Sequence, residues 1–235
     1  MFAIIEQERI NYTLEGSDIM NLPQQCIFDM DGLLIDSETQ PLEAHRLTAE
    51  EFGLALTRDQ YLKTIGMNIM GSDQYLQELF PELDVQRFRT RMTVLKDELN
   101  ESLGIPLKPG VLEILDYLES KGIAKTVATS THRSRAERVL THHDILRRFD
   151  GIVCGDDITH SKPHPEIMEL SLAITGARPE NALVFEDSYN GIQAANNAGI
   201  PVIMIPDLLP ANPELYTTAV MADLFEAIEF LKQLK

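Results

Sequence analysis

The second half of the chain alternates short apolar segments with amphipathic helical patterns, and this alternation limits the fold more than any other feature of the sequence. Four apolar segments that favour strands follow Pro109-Gly110, and helical patterns separate them. These segments are residues 124–128, 151–154, 182–185 and 201–205. Such an alternation is typical of a parallel sheet with helices on both faces. With one more strand predicted at 25–29, the sequence predicts an α/β fold with a doubly wound parallel sheet.

A helical region separates the first predicted strand from the other four. Residues 42–103 have helical periodicity throughout, with Gly53 as a stop signal and Asp84 as the N-cap of a later helix. We therefore predict an all-helical cap domain that is inserted into the core domain. The cap is predicted to span residues 41–105, and the core residues 25–40 and 106–235.

The start of the chain predicts neither an export signal nor a fold of its own. Residues 1–24 are polar and irregular, and the short apolar run at the start has no basic flank. We expect a loose N-terminal extension. Met20 is an alternative to Met1 as the site where translation starts.

The composition excludes several classes of partner. Lys and Arg number 20 against 37 for Asp and Glu, which gives a net charge of −17, and a chain this acidic repels nucleic acid and anionic membrane surfaces. No apolar run approaches the ~18 residues that a membrane span needs. The two cysteines, Cys26 and Cys154, cannot form a disulfide framework, which favours a cytoplasmic location. The sequence leaves the oligomeric state open.

Polar residues follow the ends of four predicted strands. Ligands bind beyond the carboxyl ends of the strands in such a sheet, so these residues are candidates for a site. They are Asp29 and Asp31, Thr129 and Ser130, Asp156 and Asp157, Glu186 and Asp187, with Lys162 between the third of these strands and its helix. Any one of them alone would be read as a turn residue, a helix cap or a solvated lysine. Four strands that direct polar groups to one edge favour a site, which Asp156 and Asp157 are expected only to border.

The spacing of the acids indicates their chemistry. Asp29 and Asp31 are two residues apart, so in an extended backbone both side chains leave on the same side. Paired carboxylates suit a nucleophile or metal ligand together with an acid/base. Glu186 and Asp187 add two more carboxylates, and a hard divalent cation such as Mg²⁺ is the natural remedy for their repulsion. Together, such a cation and Lys162 would offset most of the negative charge of these acids and of a bound phosphate. Phosphoryl transfer depends on this neutralisation of charge.

Four ordered segments carry a resemblance to a known family. They are Phe28-Asp29-Met30-Asp31-Gly32, Ala128-Thr129-Ser130-Thr131, Lys162-Pro163-His164-Pro165-Glu166 and Phe185-Glu186-Asp187-Ser188. In this order and at these spacings the chain resembles the haloacid dehalogenase superfamily, in its phosphatase and β-phosphoglucomutase-like branch with a helical cap. The resemblance runs from about Gln25 to the C-terminus and implies a Rossmann-like core.

The resemblance also implies a role for each matching residue. Asp29 is similar to the nucleophile that forms an aspartyl-phosphate. Asp31 is similar to the acid/base, and its main-chain carbonyl to a metal ligand. Thr129 and Lys162 are similar to the phosphate-holding groups of the family. Ser130, which follows Thr129, is expected to add hydroxyl and main-chain donors to the phosphate oxygens. The implied Mg²⁺ ligands are Asp29, Asp31, Glu186 and Asp187, with Glu186 binding either directly or through water.

Two functions from different reaction classes compete. The first is a Mg²⁺-dependent phosphatase for a small phosphate monoester, expected to be a sugar phosphate; the second is a β-phosphoglucomutase-like isomerase. Mutases of this branch hold a second phosphate with basic cap residues, whereas the matching stretches here, Pro41 and residues 65–69, contain none. A catalytically dead binding protein conflicts with the filled motifs. A dehalogenase lacks the second aspartate that Asp31 supplies.

Overall fold

The computed structural model describes residues 21–65, 67 and 69–235. Within these ranges, six parallel strands form one sheet in the order β3-β2-β1-β4-β5-β6. The strands are β1 (Gln25–Phe28), β2 (Ala124–Ala128), β3 (Gly151–Val153), β4 (Ala182–Glu186), β5 (Val202–Met204) and β6 (Ala219–Val220). The predicted α/β class with a doubly wound parallel sheet is therefore confirmed.

The helices fall into two groups along the chain. Four lie between β1 and β2 before the first core helix, and the others alternate with the strands. They are α1 (Thr39–Glu51), α2 (Arg58–Leu62), α3 (Ile69–Leu79), α4 (Val85–Leu103), α5 (Val111–Lys121), α6 (Arg133–His142), α7 (Glu166–Thr175), α8 (Tyr189–Asn197) and α9 (Leu224–Leu231). None of the described helices is long and apolar enough to span a membrane.

Helices cover both faces of the sheet because alternate strand residues point to opposite sides. Phe28 faces one layer, where it stacks on Phe185 at 5.0 Å and meets the edge of Phe149 at 6.1 Å, with α5, α6 and α9 packed over it. Ile27 faces the other layer, which α7 and α8 cover. Burial on both faces explains why β3, β5 and most of β4 are continuously apolar rather than alternating, whereas the polar Gln25 of β1 and Thr126 of β2 are buried and hydrogen-bonded to each other.

The helices α1 to α4 form a separate apolar cluster. α1 packs against α4 through Ala49 and Phe88, and Asp84 caps α4 by accepting a hydrogen bond from Arg87 N, as predicted. α1 begins at Thr39, two residues before the predicted start of the cap, because Asp36 accepts hydrogen bonds from the main-chain nitrogen and hydroxyl of Thr39. The domain boundaries remain a prediction.

The described part of the N-terminal extension, residues 21–24, is hydrogen-bonded to the core domain. Leu22 N donates to Lys235 O at 2.9 Å, and Gln24 N donates to Asn181 O at 2.7 Å. Residues 1–20, which include the alternative start at Met20, lie outside the described residues.

The cap core contains a histidine whose protonation opposes folding. His45 is 5% exposed and packs against the rings of Tyr61 and Phe88, and burial lowers its pKa to about 4. The unfolded chain binds this proton near pH 6.5. Stability from this residue is therefore present at pH 7 and lost as the pH falls from about 6.5 to about 4.

We expect His45→Phe to reduce this acid sensitivity, because phenylalanine keeps the ring contacts and cannot titrate. Urea unfolding at pH 7 and pH 5 measures the effect. The wild-type protein should lose roughly 2 kcal/mol more than the variant between these two pH values. Equal losses would show that His45 does not titrate with folding.

Candidate active site

The crevice at the carboxyl ends of β1 and β4 is where the fold predicts a ligand. β2 and β3 lie on one side of β1, while β4, β5 and β6 lie on the other. In an open parallel sheet, such a reversal of strand order leaves a crevice beyond the strand ends. Asp29 follows β1 directly and Glu186 is the last residue of β4, so both lie at this crevice.

Lys162 joins these two carboxylates. Its Nζ donates to Asp29 Oδ1 at 2.6 Å, to Glu186 Oε1 at 2.5 Å and to Ala128 O at 3.0 Å. The side chains of Lys162, Asp29 and Glu186 are 5%, 10% and 0% exposed. An ammonium has three N–H bonds, and all three are used. The predicted phosphate ligand is thus also the counter-ion of two buried acids.

The electrostatics of this group favour an additional cation. Burial raises the pKa of Asp29 to about 8, with the charge of Lys162 opposing the shift and that of Glu186 adding to it. Burial also disfavours the ammonium of Lys162, but Asp29 and Glu186 outweigh it and hold its pKa above the usual range. A further positive charge beside Asp29 would favour the ionised carboxylate, which is the nucleophilic form.

Glu186 is fully hydrogen-bonded in addition to its ion pair. Its Oε2 accepts from Asp187 N at 3.0 Å, from Ser188 N at 2.9 Å and from Ser188 Oγ at 2.9 Å. Gly191, in the first turn of α8, lies against this carboxylate, and a Cβ there would clash with Oε1. The glycine therefore provides the space that Glu186 occupies, and Glu186 anchors both Lys162 and the start of α8.

Asp187 has an oxygen that the protein leaves free. Its Oδ1 is buried and accepts no hydrogen bond from any residue that the structure describes. Burial raises the pKa of Asp187 well above its usual value, and the charges of Glu186 and Asp29 add to the shift. One oxygen each of Asp29, Glu186 and Asp187 lies within 4.8 Å of the others. Oxygen ligands this close together suit a hard divalent cation.

Asp31 lies at the open side of the crevice. Its Oδ2 accepts from Thr131 Oγ1 at 2.7 Å and from Thr129 Oγ1 at 3.4 Å, and Arg135 is 3.8 Å from its Oδ1. Thr129 is buried beneath the loop, whereas Ser130 is exposed. The loop after β2 therefore contacts the second aspartate, which is accessible to solvent.

Sequence reasoning missed two of these contacts. Thr131 is the last residue of the segment Ala128-Thr129-Ser130-Thr131 but is not among the predicted site residues. Its hydroxyl, two residues after that of Thr129, was a signal in the sequence that could have identified it. Arg135 lies in the first turn of α6, and no pattern in the sequence distinguishes it from a solvated arginine. Both reach Asp31 only because the strand order places the end of β2 beside the end of β1.

Asp156 and Asp157 organise the loop after β3. Asp156 Oδ1 accepts from Arg133 N at 2.9 Å, and Asp157 Oδ2 accepts from Cys154 N at 2.7 Å. Both carboxylates are used to hold main-chain groups and the start of α6. Neither carboxylate is among the hydrogen-bond partners of Lys162 in the described part of the chain, and their place at the border of the site stays a prediction.

A second set of metal-binding residue types lies on the surface near Lys162. His160, His164 and Glu166 bring potential ligand atoms within 4.8 Å of one another. Both Glu166 oxygens accept main-chain hydrogen bonds, from Thr159 N at 2.9 Å and from His160 N at 2.8 Å. The carboxylate therefore caps the loop, and we assign no metal to this set.

The doubly wound core places the acid–lysine group at the switch point of the sheet, where ligands bind in α/β proteins of this class. A sequence model of haloacid dehalogenase-like hydrolases matches residues 26–205. The chain belongs to the haloacid dehalogenase superfamily, and with a phosphatase among its relatives at 37% identity over 75% of the chain it is a phosphoric monoester hydrolase.

Three relatives show the range of this similarity. The chain is 37% identical over 178 residues to a phosphorylated carbohydrates phosphatase of Thermotoga maritima, which covers 75% of this chain and 82% of the relative. It is 29% identical over 196 residues to hexitol phosphatase B of Escherichia coli, and this match covers 80% of this chain and 86% of the relative. A crystal structure of a Thermotoga maritima protein described as a candidate β-phosphoglucomutase is 33% identical, has a TM-score of 0.74 and covers 90% of this chain and 99% of its own.

Proposed function

We propose that the protein is a Mg²⁺-dependent phosphatase that hydrolyses a small phosphate monoester through an aspartyl-phosphate on Asp29. The observation that supports this most strongly is the position of Lys162, which is buried between Asp29 and Glu186 at the switch point of the sheet. A nucleophile, a fixed cation and a further free carboxylate oxygen meet there. This combination suits phosphoryl transfer, which depends on positioning and charge neutralisation.

The residues present fit a Mg²⁺ ion. Asp187 Oδ1 is buried without a hydrogen-bond partner in the described part of the chain, and Asp187 lies beside Asp29 in the set of close carboxylates. The proposed ligands are Asp29, Asp187 and the main-chain carbonyl of Asp31. Because both Glu186 oxygens are already hydrogen-bonded, we propose that Glu186 acts on the ion through water. A bound Mg²⁺ would neutralise charge on the phosphate and on these carboxylates.

The covalent step is assigned to Asp29. One of its carboxylate oxygens attacks phosphorus, and the bond between phosphorus and the leaving oxygen breaks as the new bond forms. Asp31 gives its proton to that leaving oxygen, so an alcohol rather than an alkoxide departs. Asp31 then takes a proton from water, whose oxygen attacks phosphorus and releases Asp29 and inorganic phosphate.

The phosphate oxygens are proposed to bind at the end of β2. Lys162 Nζ already reaches Ala128 O there, and Thr129 and Ser130 follow at once. The Thr129 hydroxyl faces Asp31, with its Oγ1 3.4 Å from Asp31 Oδ2, whereas the main-chain nitrogen of Thr129 already donates to Val153 O. Because all three N–H bonds of Lys162 are used, a bound phosphate would take the one that Ala128 O now accepts and would share the ammonium with Asp29 and Glu186.

A cavity in the cap has the chemistry to hold the rest of the substrate. It measures about 310 Å³, and its lining includes Glu38, His45, Tyr61 and Thr64. Glu38 in this lining is within electrostatic reach of the crevice, because burial and the charges of Asp207 and Asp31 raise its pKa. Hydroxyl, imidazole and carboxyl groups suit a hydroxyl-bearing molecule. The phosphorylated carbohydrate and hexitol substrates in the names of the two relatives agree with this chemistry.

The cavity also contains a basic residue, Arg89. It lies outside Pro41 and residues 65–69, the two stretches in which a mutase would be expected to carry its basic cap residues. Arg89 of α4 lies in its lining and is bound to Asp73, with its Nε 2.8 Å from Asp73 Oδ1. A second phosphate would have to compete with this carboxylate for the guanidinium. This arrangement supports the phosphatase over the mutase.

The competition between the two activities is testable with one substrate pair. We expect β-glucose 1-phosphate, supplied with glucose 1,6-bisphosphate, to yield little glucose 6-phosphate, with any turnover appearing as free phosphate. A lost charge-assisted hydrogen bond costs ~1.5–3 kcal/mol, so a bisphosphate that cannot use Arg89 should dissociate or be hydrolysed. Rapid isomerisation with negligible phosphate release would contradict the phosphatase.

Asp73→Asn provides a matched control for that assay. The variant keeps the shape of the side chain and removes the negative charge that pairs with the Arg89 guanidinium. It should bind the bisphosphate more tightly than the wild-type protein, measured by competition with a chromogenic phosphate ester. Equal affinities would show that Asp73 does not set the preference against a second phosphate.

Asp31→Asn tests the acid/base assignment. General acid–base catalysis contributes ~10²–10⁴-fold, so turnover of an alkyl phosphate should fall by about that factor. The loss should be smaller for an aryl phosphate, because its leaving group needs no proton. Steady-state kinetics with both esters measures the difference, and equal losses would remove the acid role from Asp31.

The proposal includes a cytoplasmic location and small-molecule partners. Cys26 and Cys154 are free and buried, which suits a reducing compartment. The net charge of −17 argues against binding to nucleic acid or to anionic membranes.

A further inference from the structure

A fifth carboxylate, that of Asp207 in the loop after β5, lies near Asp187, one of the proposed metal ligands. Asp207 Oδ1 accepts a hydrogen bond from Lys108 Nζ at 2.6 Å, and the side chain of Asp207 is 11% exposed. Its other oxygen, Oδ2, is buried and has no hydrogen-bond partner among the described residues. Asp187 Oδ1 is in the same condition. Unpaired buried carboxylate oxygens are costly, so two of them near one place require a reason.

The two carboxylates flank the same point of the backbone. Gly32 follows Asp31 and has a φ of 85°, a conformation that glycine adopts readily. A Cβ built on Gly32 would clash with Asp187 Oδ2 and fall 3.3 Å from Asp207 Oδ2. Carboxylates from the loops after β4 and β5 therefore lie together beside Gly32, the residue that follows Asp31. The charge of Asp207 also contributes to the raised pKa of Asp187.

We infer that Asp207 is a positioning residue for the divalent cation, and that its Oδ2 accepts a hydrogen bond from a water in the hydration shell of the ion. This inference rests on the proposed function, because it requires the metal site at Asp29 and Asp187. Mg²⁺ dehydrates reluctantly and keeps several waters in proteins. Those waters are strong donors, and an unpaired carboxylate oxygen is a suitable acceptor.

Lys108 explains why only one oxygen of Asp207 is left for this role. Its main-chain nitrogen donates to Leu34 O at 3.0 Å, which fixes its backbone beside the loop that follows β1. Its ammonium holds Asp207 Oδ1 and thereby sets the rotation of the carboxylate. Lys108 belongs to the segment through which the chain returns from the helical insert to α5, so the ion pair connects that segment to the metal end of the crevice.

A purely structural reading is that Asp207 serves only to hold Lys108. The two readings differ in what happens to metal affinity. Asp207→Asn keeps an oxygen for Lys108 but places an NH₂ group or a weaker acceptor towards the ion. Loss of an outer-shell partner costs ~10–100-fold in metal affinity, whereas loss of a structural ion pair changes stability alone.

Calorimetric titration with Mg²⁺, without substrate, separates these readings. We expect Asp207→Asn to bind Mg²⁺ about 10–100-fold more weakly than the wild-type protein, and Asp207→Glu to recover part of that loss because it restores the charge. Asp36→Asn is the matched control: it removes one carboxylate from the loop after β1, whose oxygens are both used by Thr39, and asparagine can still accept a hydrogen bond at the start of α1. Its affinity should stay within about twofold of the wild-type value.

Asp187→Asn distinguishes failure of this inference from failure of the proposed function. If Asp187→Asn binds Mg²⁺ as the wild-type protein does, the proposed metal site itself is wrong. If Asp187→Asn loses binding but Asp207→Asn keeps it, only the role of Asp207 is overturned. Equal affinities of Asp207→Asn and Asp207→Glu, or an equal loss in Asp36→Asn, would also overturn it. Thermal unfolding without metal establishes that each variant is folded.

Discussion

Asp29→Asn is expected to reduce turnover of any phosphate monoester by on the order of 10⁴-fold or more, because asparagine cannot attack phosphorus. The substituted amide has nearly the same shape as the carboxylate. Lys162 would keep Glu186 Oε1 and Ala128 O as partners, so the buried ammonium would not be left alone. The variant should therefore remain folded while it loses the reaction.

Release of inorganic phosphate from several esters measures this loss, with thermal unfolding as the check on folding. Asp36→Asn serves as the control, since it removes a nearby carboxylate that is hydrogen-bonded to Thr39 and has no role in the proposed reaction. A folded Asp29→Asn protein with more than about a tenth of wild-type turnover would contradict covalent catalysis by Asp29.

Lys162→Met is expected to have the second largest effect, and to change stability as well as activity. Removal of one partner from a buried ion pair costs ~3–5 kcal/mol, because the remaining charge is left uncompensated. Here two carboxylates, Asp29 and Glu186, would face each other without a counter-ion. Their side chains are 10% and 0% exposed, so water cannot replace the ammonium.

Urea unfolding of the metal-free variant measures the change in stability. Mg²⁺ should restore part of the lost stability, since it supplies positive charge to the same carboxylates. Inhibition by phosphate should weaken sharply in the folded variant with Mg²⁺ present. Unchanged stability together with unchanged inhibition would show that Lys162 is neither the counter-ion of the two acids nor a phosphate ligand.

The central strands of the sheet were predictable because they are almost wholly buried. The predicted limits of β2 (Ala124–Ala128) are the observed ones, and those of β4 agree to within one residue, where the apolar run Ala182–Phe185 marks the strand. β6 (Ala219–Val220) was not predicted. Two residues at the edge of a sheet give no period that a pattern could reveal.

The part of the candidate site that follows strand ends was also predictable, but the connections within the site were not. Lys162 was expected to bind phosphate, and nothing in the sequence shows that it bridges two acids 133 and 24 positions away. Asp207 lies in a proline-rich loop that resembles an ordinary connection, and Arg89 reaches the cap cavity from a long polar helix. Contacts between distant segments depend on the packing of whole elements, which local periodicity does not encode.

The central claim is that catalysis passes through a phosphate ester on Asp29. The most direct measurement uses the Asp31→Asn variant with Mg²⁺ and an aryl phosphate, quenched in acid during turnover and reduced with borohydride, which converts an aspartyl-phosphate to homoserine. Peptide mass spectrometry should find homoserine at position 29, and no such conversion when Asp29 is also replaced by asparagine. Phosphate release without any modified residue at position 29, or with the modification at another acid, would contradict the account.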